Sequence, residues 1–375
     1  MLKLHGLPVH IGRLWPDSAS AKAAPRGDVV LSFCHHCGFV TNVAYDPTAI
    51  SYEPGYEYSL HHSPSHREFL EQTARRLVRT YELRDKDIVE VGCGSGFFLK
   101  LLCELGGNRG WGFDPAIPQQ QTLEWDVGSM TLITQLYDET HCDVPCDLLI
   151  SRSMFELIGD PMALLQQLRR VLGDRTEARV YLDIPNSKYV FRQRAIWNLF
   201  YEQCNDVVEA TLVEAFGRAG FQVLDAGECL GDGYYLFVEA APSDPTPPSE
   251  PASASISVPD VLVAMAEEIE TQRQLWAARF QRWQAEGTRV VAWGSGGRAI
   301  NFLNLIDEAS AIEHVVDINP ARHNGCVSGS GQRVIAPTEL VSLRPDVVVI
   351  TNSLYGEEIR QHVRQLGLEC EFAEI

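Results

Sequence analysis

The sequence predicts an α/β protein with two doubly wound, Rossmann-like domains, because three patterns coincide. A glycine-rich turn between a short apolar strand and a helix occurs twice, at residues 87–99 and again at 290–298. Strand-like and helix-like stretches alternate from about residue 65 to residue 240, as expected for a mainly parallel sheet covered by helices. A segment rich in proline and serine, 242–256, separates the two halves.

These patterns divide the chain into four parts. Residues 1–62 are interrupted by five prolines and predict a small irregular domain. Residues 63–241 form the first α/β domain. Residues 242–256 form a linker, because proline and small polar residues do not pack a core. Residues 257–375 begin with a long amphipathic helix and continue into the second α/β domain.

The N-terminal part contains one pattern with metal-binding chemistry. Cys34 and Cys37 are followed by Gly38, and two thiolates on one tight turn are typical of a zinc knuckle. A closed zinc site needs four ligands, and no second pair with this spacing lies nearby. A structural zinc ion held by Cys34 and Cys37, and a pair of free thiols, therefore both remain as interpretations.

The first glycine turn predicts a bound nucleoside. Gly92, Gly94 and Gly96 follow a buried strand at 88–91 and precede an apolar helix, so the backbone can bend sharply and approach a ligand. The next strand ends at Asp114 and Pro115, where a carboxylate would reach the ribose hydroxyls.

The acid that opens this turn favours S-adenosylmethionine as the ligand. Glu90 suits the cationic amino group of a methionine tail, whereas it would repel a pyrophosphate. A dinucleotide, and a structural turn without any ligand, are the alternatives. Later strands add candidates for the same pocket: Gln135 after the third strand for the adenine edge, and Ser151 and Arg152 after the fourth for the reactive end of the methyl donor.

The second glycine turn, taken alone, resembles a dinucleotide-binding fingerprint. Gly294 follows the strand at 290–293, and Asp317 ends the next strand at a plausible ribose distance. Two interpretations follow. The chain combines a dehydrogenase with a transferase, or a methyltransferase domain faces a second domain that holds the substrate.

Composition excludes several function classes. The chain has 375 residues, 45% of them hydrophobic, which is enough for two or three cores. A formal net charge of −19 argues against nucleic acid as a partner. We expect no membrane segment, a reduced cytoplasmic location for the ten scattered cysteines, a small-molecule substrate, and a monomer or homodimer.

The whole layout resembles the C-methyltransferases of nucleotide-linked deoxysugars. The resemblance is carried by 34–38, 55–57, Arg152, Glu156, 183–186, Tyr201 with Glu202, 294–297 and 315–320. It implies a zinc-binding N-terminal domain, a class I methyltransferase core that binds S-adenosylmethionine, and a C-terminal Rossmann-like domain that helps to hold a keto-sugar.

The chain departs from that family at residues expected to do chemistry. The first of two cysteine pairs is missing, and Ser153 and Leu157 stand where histidines are usual. The family's Tyr-Glu-His signature reads Tyr201-Glu202-Gln203, so the expected general base is replaced by an amide that does not titrate.

Methylation of carbon requires a base to form an enolate, and four residues are candidates for the catalytic group. Tyr201 and Glu202 keep the family positions, and Tyr56 and His61 lie in a segment that can cover the pocket. Glu202 would need burial to raise its pKa, whereas His61 would titrate near neutrality unaided. Two further interpretations remain: an enzyme of secondary metabolism, such as antibiotic biosynthesis, that methylates oxygen or nitrogen or closes a ring on a sulfonium adduct, and a non-catalytic protein that binds S-adenosylmethionine.

Overall fold

The N-terminal segment forms an antiparallel sheet, which the proline spacing did not predict. The computed structural model describes residues 2–247 and 258–375. Strands β1 (Leu2–Pro8), β2 (Arg26–Phe33) and β3 (Val40–Asn42) pair in order, and α1 (Ser18–Lys22) lies between β1 and β2. Pro8 ends β1, Pro16 and Pro25 lie between β1 and β2, and Pro47 and Pro54 follow β3, so the prolines do not interrupt the strands. The expectation of an irregular segment therefore needs correction for residues 2–42.

The central domain is built on an eight-stranded sheet. Its helices are α2 (Pro64–Thr80), α3 (Phe97–Gly106), α4 (Pro161–Leu172), α5 (Ser187–Gln193) and α6 (Glu209–Arg218). The strands of this part of the chain are β4 (Asp87–Val91), β5 (Arg109–Phe113), β6 (Gln121–Glu124), β7 (Ser129–Ile133), β8 (Leu148–Arg152), β9 (Arg179–Pro185), β10 (Asn205–Asp206), β11 (Phe221–Cys229) and β12 (Tyr235–Pro242). The short β10 leaves this sheet and pairs with β3 of the N-terminal sheet.

The strand order, β11-β12-β9-β8-β4-β5-β7-β6, is that of a class I methyltransferase fold. β6 and β12 are antiparallel to their neighbours, and the remaining pairs are parallel. The chain winds in one direction from β4 to β7 and in the other from β8 onward. The carboxyl ends of β4 and β8 therefore frame the crevice where ligands bind in such sheets.

Helices on both faces explain why these strands are apolar throughout. Ile88 packs into the core on one face of the sheet, and its neighbour Val89 packs into the core on the other. A strand buried on two sides needs this continuous pattern rather than an alternating one.

The C-terminal domain is a parallel five-stranded sheet in the order β15-β14-β13-β16-β17. Its elements are α7 (Val258–Glu286), β13 (Val290–Trp293), α8 (Gly297–Leu305), β14 (His314–Val316), β15 (Arg333–Ile335), α9 (Leu340–Leu343), β16 (Val347–Ile350), α10 (Gly356–Gln365) and β17 (Glu371–Glu374). The fold class expected from the sequence is confirmed for both α/β domains.

The N-terminal sheet and the C-terminal domain share one hydrophobic core. Leu2 and Leu7 of β1 belong to the same buried cluster as Trp276 of α7 and Phe302 of α8. The Asn301 amide also donates to the backbone carbonyls of Trp197 and Leu199 in the central domain. β12 ends at Pro242, and residues 248–256 of the predicted linker, with residue 257, lie outside the described residues. None of the helices described is both long and apolar enough to cross a membrane.

Candidate functional site

Two glycines of the first loop are packed closely against neighbouring side chains, and the third borders open space. Gly92, Gly94 and Gly96 have φ angles of +73°, +52° and +75°, in the left-handed region that favours glycine. An added Cβ at Gly92 would lie 2.9 Å from the Met154 sulfur, and one at Gly96 would lie 2.8 Å from Leu132. At Gly94 no atom lies within 4 Å, so this glycine borders the space in which a ligand can approach.

Asp114 is held at the mouth of this loop, as the sequence predicts. Its Oδ2 accepts from the Gly94 N–H at 2.9 Å, and its Oδ1 accepts from the Ala116 N–H at 2.8 Å. Pro115, which lies between Asp114 and Ala116 in the sequence, is half-buried. Gln135 follows β7, is exposed, and pairs with the His141 ring at 3.1 Å.

Glu90 lies beneath the loop rather than facing its opening. The side chain is buried, and its Oε2 accepts from the Leu99 N–H at 3.1 Å inside the first turn of α3. Burial raises the pKa of Glu90 to about 8, although the nearby Arg152 acts in the opposite direction. One oxygen of the Glu90 carboxyl group is thus engaged with the backbone of α3, and its contact with the donor's amino group stays a prediction.

Arg152 and Ser151 lie at the carboxyl end of β8, beside the loop. The Arg152 guanidinium donates from Nε to Asp183 Oδ2 at 2.7 Å and covers the ring of Phe98. Within the described residues, Asp183 Oδ1 and the Ser151 hydroxyl are buried and have no hydrogen-bond partner. Buried polar atoms without partners are rare and mark places where a ligand or water is needed.

Glu202 occupies a second polar cluster, formed where the N-terminal segment covers the central domain. Its Oε2 accepts from the Ile11 N–H at 2.7 Å, and the hydroxyls of Tyr56 and Tyr52 lie beside it. Burial raises the pKa of Glu202 to about 7, and these donors partly offset the rise. Neither Glu202 Oε1 nor the Tyr52 hydroxyl makes a well-formed hydrogen bond in the described part of the chain.

Two of the predicted catalytic residues are placed differently from the expectation. The ring of Tyr201 packs against Gly27, where an added Cβ would come within 2.2 Å of it, and its hydroxyl accepts from the Asp46 N–H. These contacts give Tyr201 a packing role. The ring of His61 stacks on Phe97, with 4.2 Å between centroids.

The expectation that His61 titrates near neutrality was wrong. Burial, together with the neighbouring His62, lowers the pKa of His61 to about 4. The imidazole is therefore neutral at pH 7 and is a weak base.

Gln203 retains a partner that would suit an imidazole. Its Nε2 donates to Asp206 Oδ1 at 3.1 Å, and the Ser187 hydroxyl donates to the same oxygen at 3.0 Å. Burial raises the pKa of Asp206 to about 6.

Two regions of the sequence match known domain families. Residues 61–226 match a methyltransferase domain, and residues 250–369 match a C-methyltransferase C-terminal domain. The protein is an S-adenosylmethionine-dependent methyltransferase. Among curated proteins, no relative of this methyltransferase was found.

Similar solved structures align with about half of the methyltransferase. Magnesium protoporphyrin IX methyltransferase from Synechocystis PCC 6803 is 19% identical, with 48% of this chain and 84% of that chain covered at a TM-score of 0.36. The 1,6-didemethyltoxoflavin-N1-methyltransferase from Burkholderia thailandensis is 14% identical, with 48% and 80% covered, also at a TM-score of 0.36.

The predicted zinc site of the methyltransferase is incomplete in the residues described. Cys34 is exposed and Cys37 is partly buried on the turn between β2 and β3. In 2–247 and 258–375, no group of three or more His, Cys, Asp or Glu side chains is arranged to hold a metal ion. Two thiols do not fit a closed zinc site, and we derive no step from a metal.

The second glycine loop lines a cleft between the central and C-terminal domains of the methyltransferase. The cleft has a volume of about 140 Å³ and is lined mainly by 58–63, 293–299, 317–319 and 351–359. Asp317 is not free for a ribose, because its carboxylate accepts from Ser295 and Asn319 and lies 3.7 Å from Arg322. The dehydrogenase interpretation depended on Asp317 as the ribose-binding acid, and this carboxylate is already engaged with the protein.

Sequence reasoning gave no site role to two groups that the fold brings to these sites, although Glu156 was among the residues that carry the resemblance. Glu156 is buried after β8, and its Oε2 has no partner in the described chain. Arg298 covers the ring of Tyr234 in the cleft and donates to Asn352 at 3.1 Å, while its Nε is buried and has no partner among the residues described. The available sequence signal was position: Glu156 follows the strand β8, and Arg298 follows the second glycine loop.

Proposed function

We propose that the protein methylates an acidic carbon of a keto-sugar-like or other biosynthetic intermediate, through an enolate. One observation carries the proposal. In the described chain, buried polar atoms without partners occur beside the donor loop at Ser151 and Asp183, under the N-terminal segment at Glu202 and Tyr52, and in the interdomain cleft at Arg298. Unsatisfied groups at these three places suit a protein that binds both a donor and a substrate.

The donor would lie on the first loop. Asp114, already aligned by the Gly94 and Ala116 amides, would accept the ribose hydroxyls. The open space above Gly94 would admit the nucleoside. Arg152, with only its Nε engaged by Asp183, would bind the donor's carboxylate at the end of β8.

The substrate would occupy the cleft between the two α/β domains. Arg298 and the second glycine loop offer a cation and backbone amides, which suit an anionic group such as a diphosphate. Tyr58 and Tyr234 line the same cleft and offer rings against which a base or sugar packs. The other end of the substrate would reach the Glu202 cluster.

The chemistry follows from what these groups can do. Ionised Glu202 takes the proton from the carbon beside a carbonyl, and the resulting enolate carbon attacks the sulfonium methyl group. A carbon–carbon bond forms, the sulfur–methyl bond breaks, and its electron pair stays on sulfur. The protein contributes the base and the alignment, since the donor carries its own leaving group.

Methyl transfer from labelled S-adenosylmethionine to a thymidine diphosphate-linked keto-deoxyglucose tests this function. We expect Glu202→Gln to lower turnover by about 100-fold or more, while calorimetry shows unchanged affinity for S-adenosylhomocysteine. Tyr201→Phe is the matched control, because it removes only the hydroxyl that accepts from Asp46. Full activity in Glu202→Gln would remove the carboxylate from the mechanism.

A second candidate function is favoured by Gln203, which does not titrate and is fixed by Asp206. The substrate would then be intrinsically acidic, enolic, or an oxygen or nitrogen nucleophile. Gln203→His separates the two, because the imidazole would find Asp206 in place to orient it. A rise in activity on the keto-sugar supports the first function. No rise, combined with no binding of that sugar by calorimetry, supports the second.

A further inference from the structure

Residues 58–62, which we call the flap, form neither helix nor strand and contact both ligand sites proposed above. The flap forms one wall of the interdomain cleft, with the side chains of Tyr58, Ser59, Leu60 and His62. The remaining residue, His61, stacks its ring on Phe97, with 4.2 Å between centroids and 3° between the ring planes. Phe97 directly follows Gly96 of the donor loop. The flap therefore joins the substrate cleft to the donor loop.

The chain is anchored by hydrogen bonds on both sides of the flap. Before it, the Glu57 N–H donates to the Gly12 carbonyl at 2.9 Å, and the Glu57 carbonyl accepts from Arg322. After it, the Ser63 hydroxyl donates to Glu358 Oε2 at 2.8 Å, and Ser63 is the N-cap of α2. These two anchors fix where the flap begins and ends.

The flap itself contacts the two glycine loops only through its rings. In the described chain, no hydrogen bond joins residues 58–62 to either loop. An added Cβ at Gly296, in the second loop, would lie 3.5 Å from the ring of Tyr58, and His61 meets the donor loop through its stack on Phe97. Ring contacts can separate without leaving a buried polar group unpaired. The flap can therefore move while its anchors stay in place.

The cleft is too small for the proposed substrate while the flap lies against it. Its volume is about 140 Å³, whereas pockets for drug-sized ligands measure about 300 Å³ or more. A nucleotide-linked sugar is at least as large as such a ligand. The facing wall belongs to the core of the C-terminal domain, because Ser295 and Thr351, which line it, are buried. The wall that has to move to admit the substrate is therefore the flap.

We propose that the flap is a lid that opens to admit the substrate and closes over it when the donor loop is occupied. This inference rests on the proposed placement of donor and substrate. A donor bound on the first glycine loop fixes the start of α3, and with it the ring of Phe97 on which His61 stacks. The closed flap then encloses the substrate and excludes water from the reacting atoms.

Donor and substrate should consequently raise each other's affinity, because both favour the same closed flap. The contact that transmits this effect is one stack of two rings, which limits the coupling to about twofold to tenfold. His61 acts here through Phe97 and the flap, so its role is one of positioning.

Hydrogen exchange of the full-length protein, followed by mass spectrometry, tests the lid at the amides of residues 58–62. We expect S-adenosylhomocysteine to slow exchange there by about fivefold in the wild-type protein. His61→Ala should abolish the slowing, whereas His61→Phe, which keeps a ring on Phe97, should retain it. His36→Ala is the matched control, because that side chain is exposed on the turn between β2 and β3. Unchanged exchange in the wild-type protein, or equal slowing in His61→Ala, would overturn the proposal.

Calorimetry with thymidine diphosphate separates the lid from the proposed function. We expect thymidine diphosphate to bind about fivefold more tightly when S-adenosylhomocysteine is present, and equally tightly with and without it in His61→Ala. Equal affinities in the wild-type protein would overturn the coupling. If thymidine diphosphate does not bind while S-adenosylhomocysteine still slows exchange in the flap, the lid is supported and the nucleotide-linked substrate fails. If the keto-sugar is methylated while exchange in the flap is unchanged, the lid fails and the proposed function stands.

Discussion

The two α/β domains repeat the same arrangement of strand, glycine loop, helix, strand and acid, yet the two acids have different surroundings. Asp114 accepts only backbone N–H groups and has no basic side chain paired with it in the described chain. Asp317 accepts from Ser295 and Asn319 and is neutralised by Arg322. The first carboxylate can accept ribose hydroxyls, and the second is already occupied.

Arg322 explains the difference between the loops. It is buried, and its guanidinium donates to the Ser295 hydroxyl at 2.7 Å, to the Ser295 carbonyl at 2.9 Å, and to the Glu57 carbonyl. It therefore fastens the N-terminal segment to the second glycine loop. The second glycine loop, with its nucleotide-binding arrangement of strands, therefore binds the N-terminal segment through Arg322 instead of binding a nucleotide.

The largest effect on stability is expected when the contacts of Arg322 are removed. Arg322→Ala would remove the cation beside Asp317 and the donor to the buried carbonyl groups of Ser295 and Glu57, so the free energy of unfolding should fall by about 3 kcal/mol or more. Arg364 is 64% exposed in its ion pair with Glu357, and Arg364→Ala should change stability by about 0.5 kcal/mol at most. Urea unfolding followed by fluorescence measures both. Equal losses in the two variants would contradict the comparison.

A glycine from each loop sharpens the contrast. Gly294→Ala should destabilise the protein by about 2 kcal/mol, because φ is +101° and the new Cβ would lie 2.6 Å from the Thr351 hydroxyl. Gly94→Ala meets no atom within 4 Å and should cost about 1 kcal/mol of stability, but lower the affinity for S-adenosylhomocysteine more than tenfold. Gly287→Ala, with φ of +69° and equally open space, controls for backbone strain. Unchanged affinity in Gly94→Ala would mean that this loop does not face the donor.

The two acids should differ in ligand binding. Asp114→Asn should lower the affinity for S-adenosylhomocysteine, measured by calorimetry, by about tenfold, since it removes a charge-assisted hydrogen bond. Asp317→Asn should leave that affinity unchanged, whereas its thermal midpoint should fall. Comparable weakening by both variants would show that the second loop also contributes to donor binding.

The smallest effect expected is a pH dependence that arises in the central domain. Burial raises the pKa values of Glu90 and Glu156 to about 8 and that of Glu202 to about 7, above the usual 4.5. The native state therefore binds more protons than the unfolded chain, and stability should fall by about 1 kcal/mol or more between pH 6.5 and pH 8. Burial lowers the pKa values of His61 and His66, so these residues make stability depend on pH only below about pH 6.5, the ordinary pKa of histidine.

Urea unfolding at the two pH values measures this change, and Glu90→Gln should reduce it. A stability that is flat or rises over this interval would contradict the assignment of protonated carboxyl groups.

Much of the fold could be read from local patterns. The long helix expected at the start of the C-terminal part is observed and ends at Glu286, and the strands around Glu90 and Asp114 lie within a residue or two of their expected ends. These elements are set by short apolar runs and by glycines, whose preferences act over a few residues. The N-terminal sheet was missed because β10, which completes it, comes from more than 160 residues away.

The chemistry of the site was less accessible. His61 was expected to titrate near neutrality, but burial beside Phe97 and His62 lowers its pKa. The catalytic role of Tyr201 stays a prediction. Glu156 was named from the sequence only as part of the resemblance, because neither its burial nor the lack of a partner for its Oε2 in the described chain can be read from local sequence.

By itself, the sequence determined the two α/β domains, the donor loop with Asp114 beside it, and the loss of a titratable side chain at position 203. Only the tertiary structure decided which acids are buried and which are neutralised by a cation. The reason is physical: a backbone preference is a property of neighbouring residues, whereas desolvation and charge pairing depend on segments that meet only after folding.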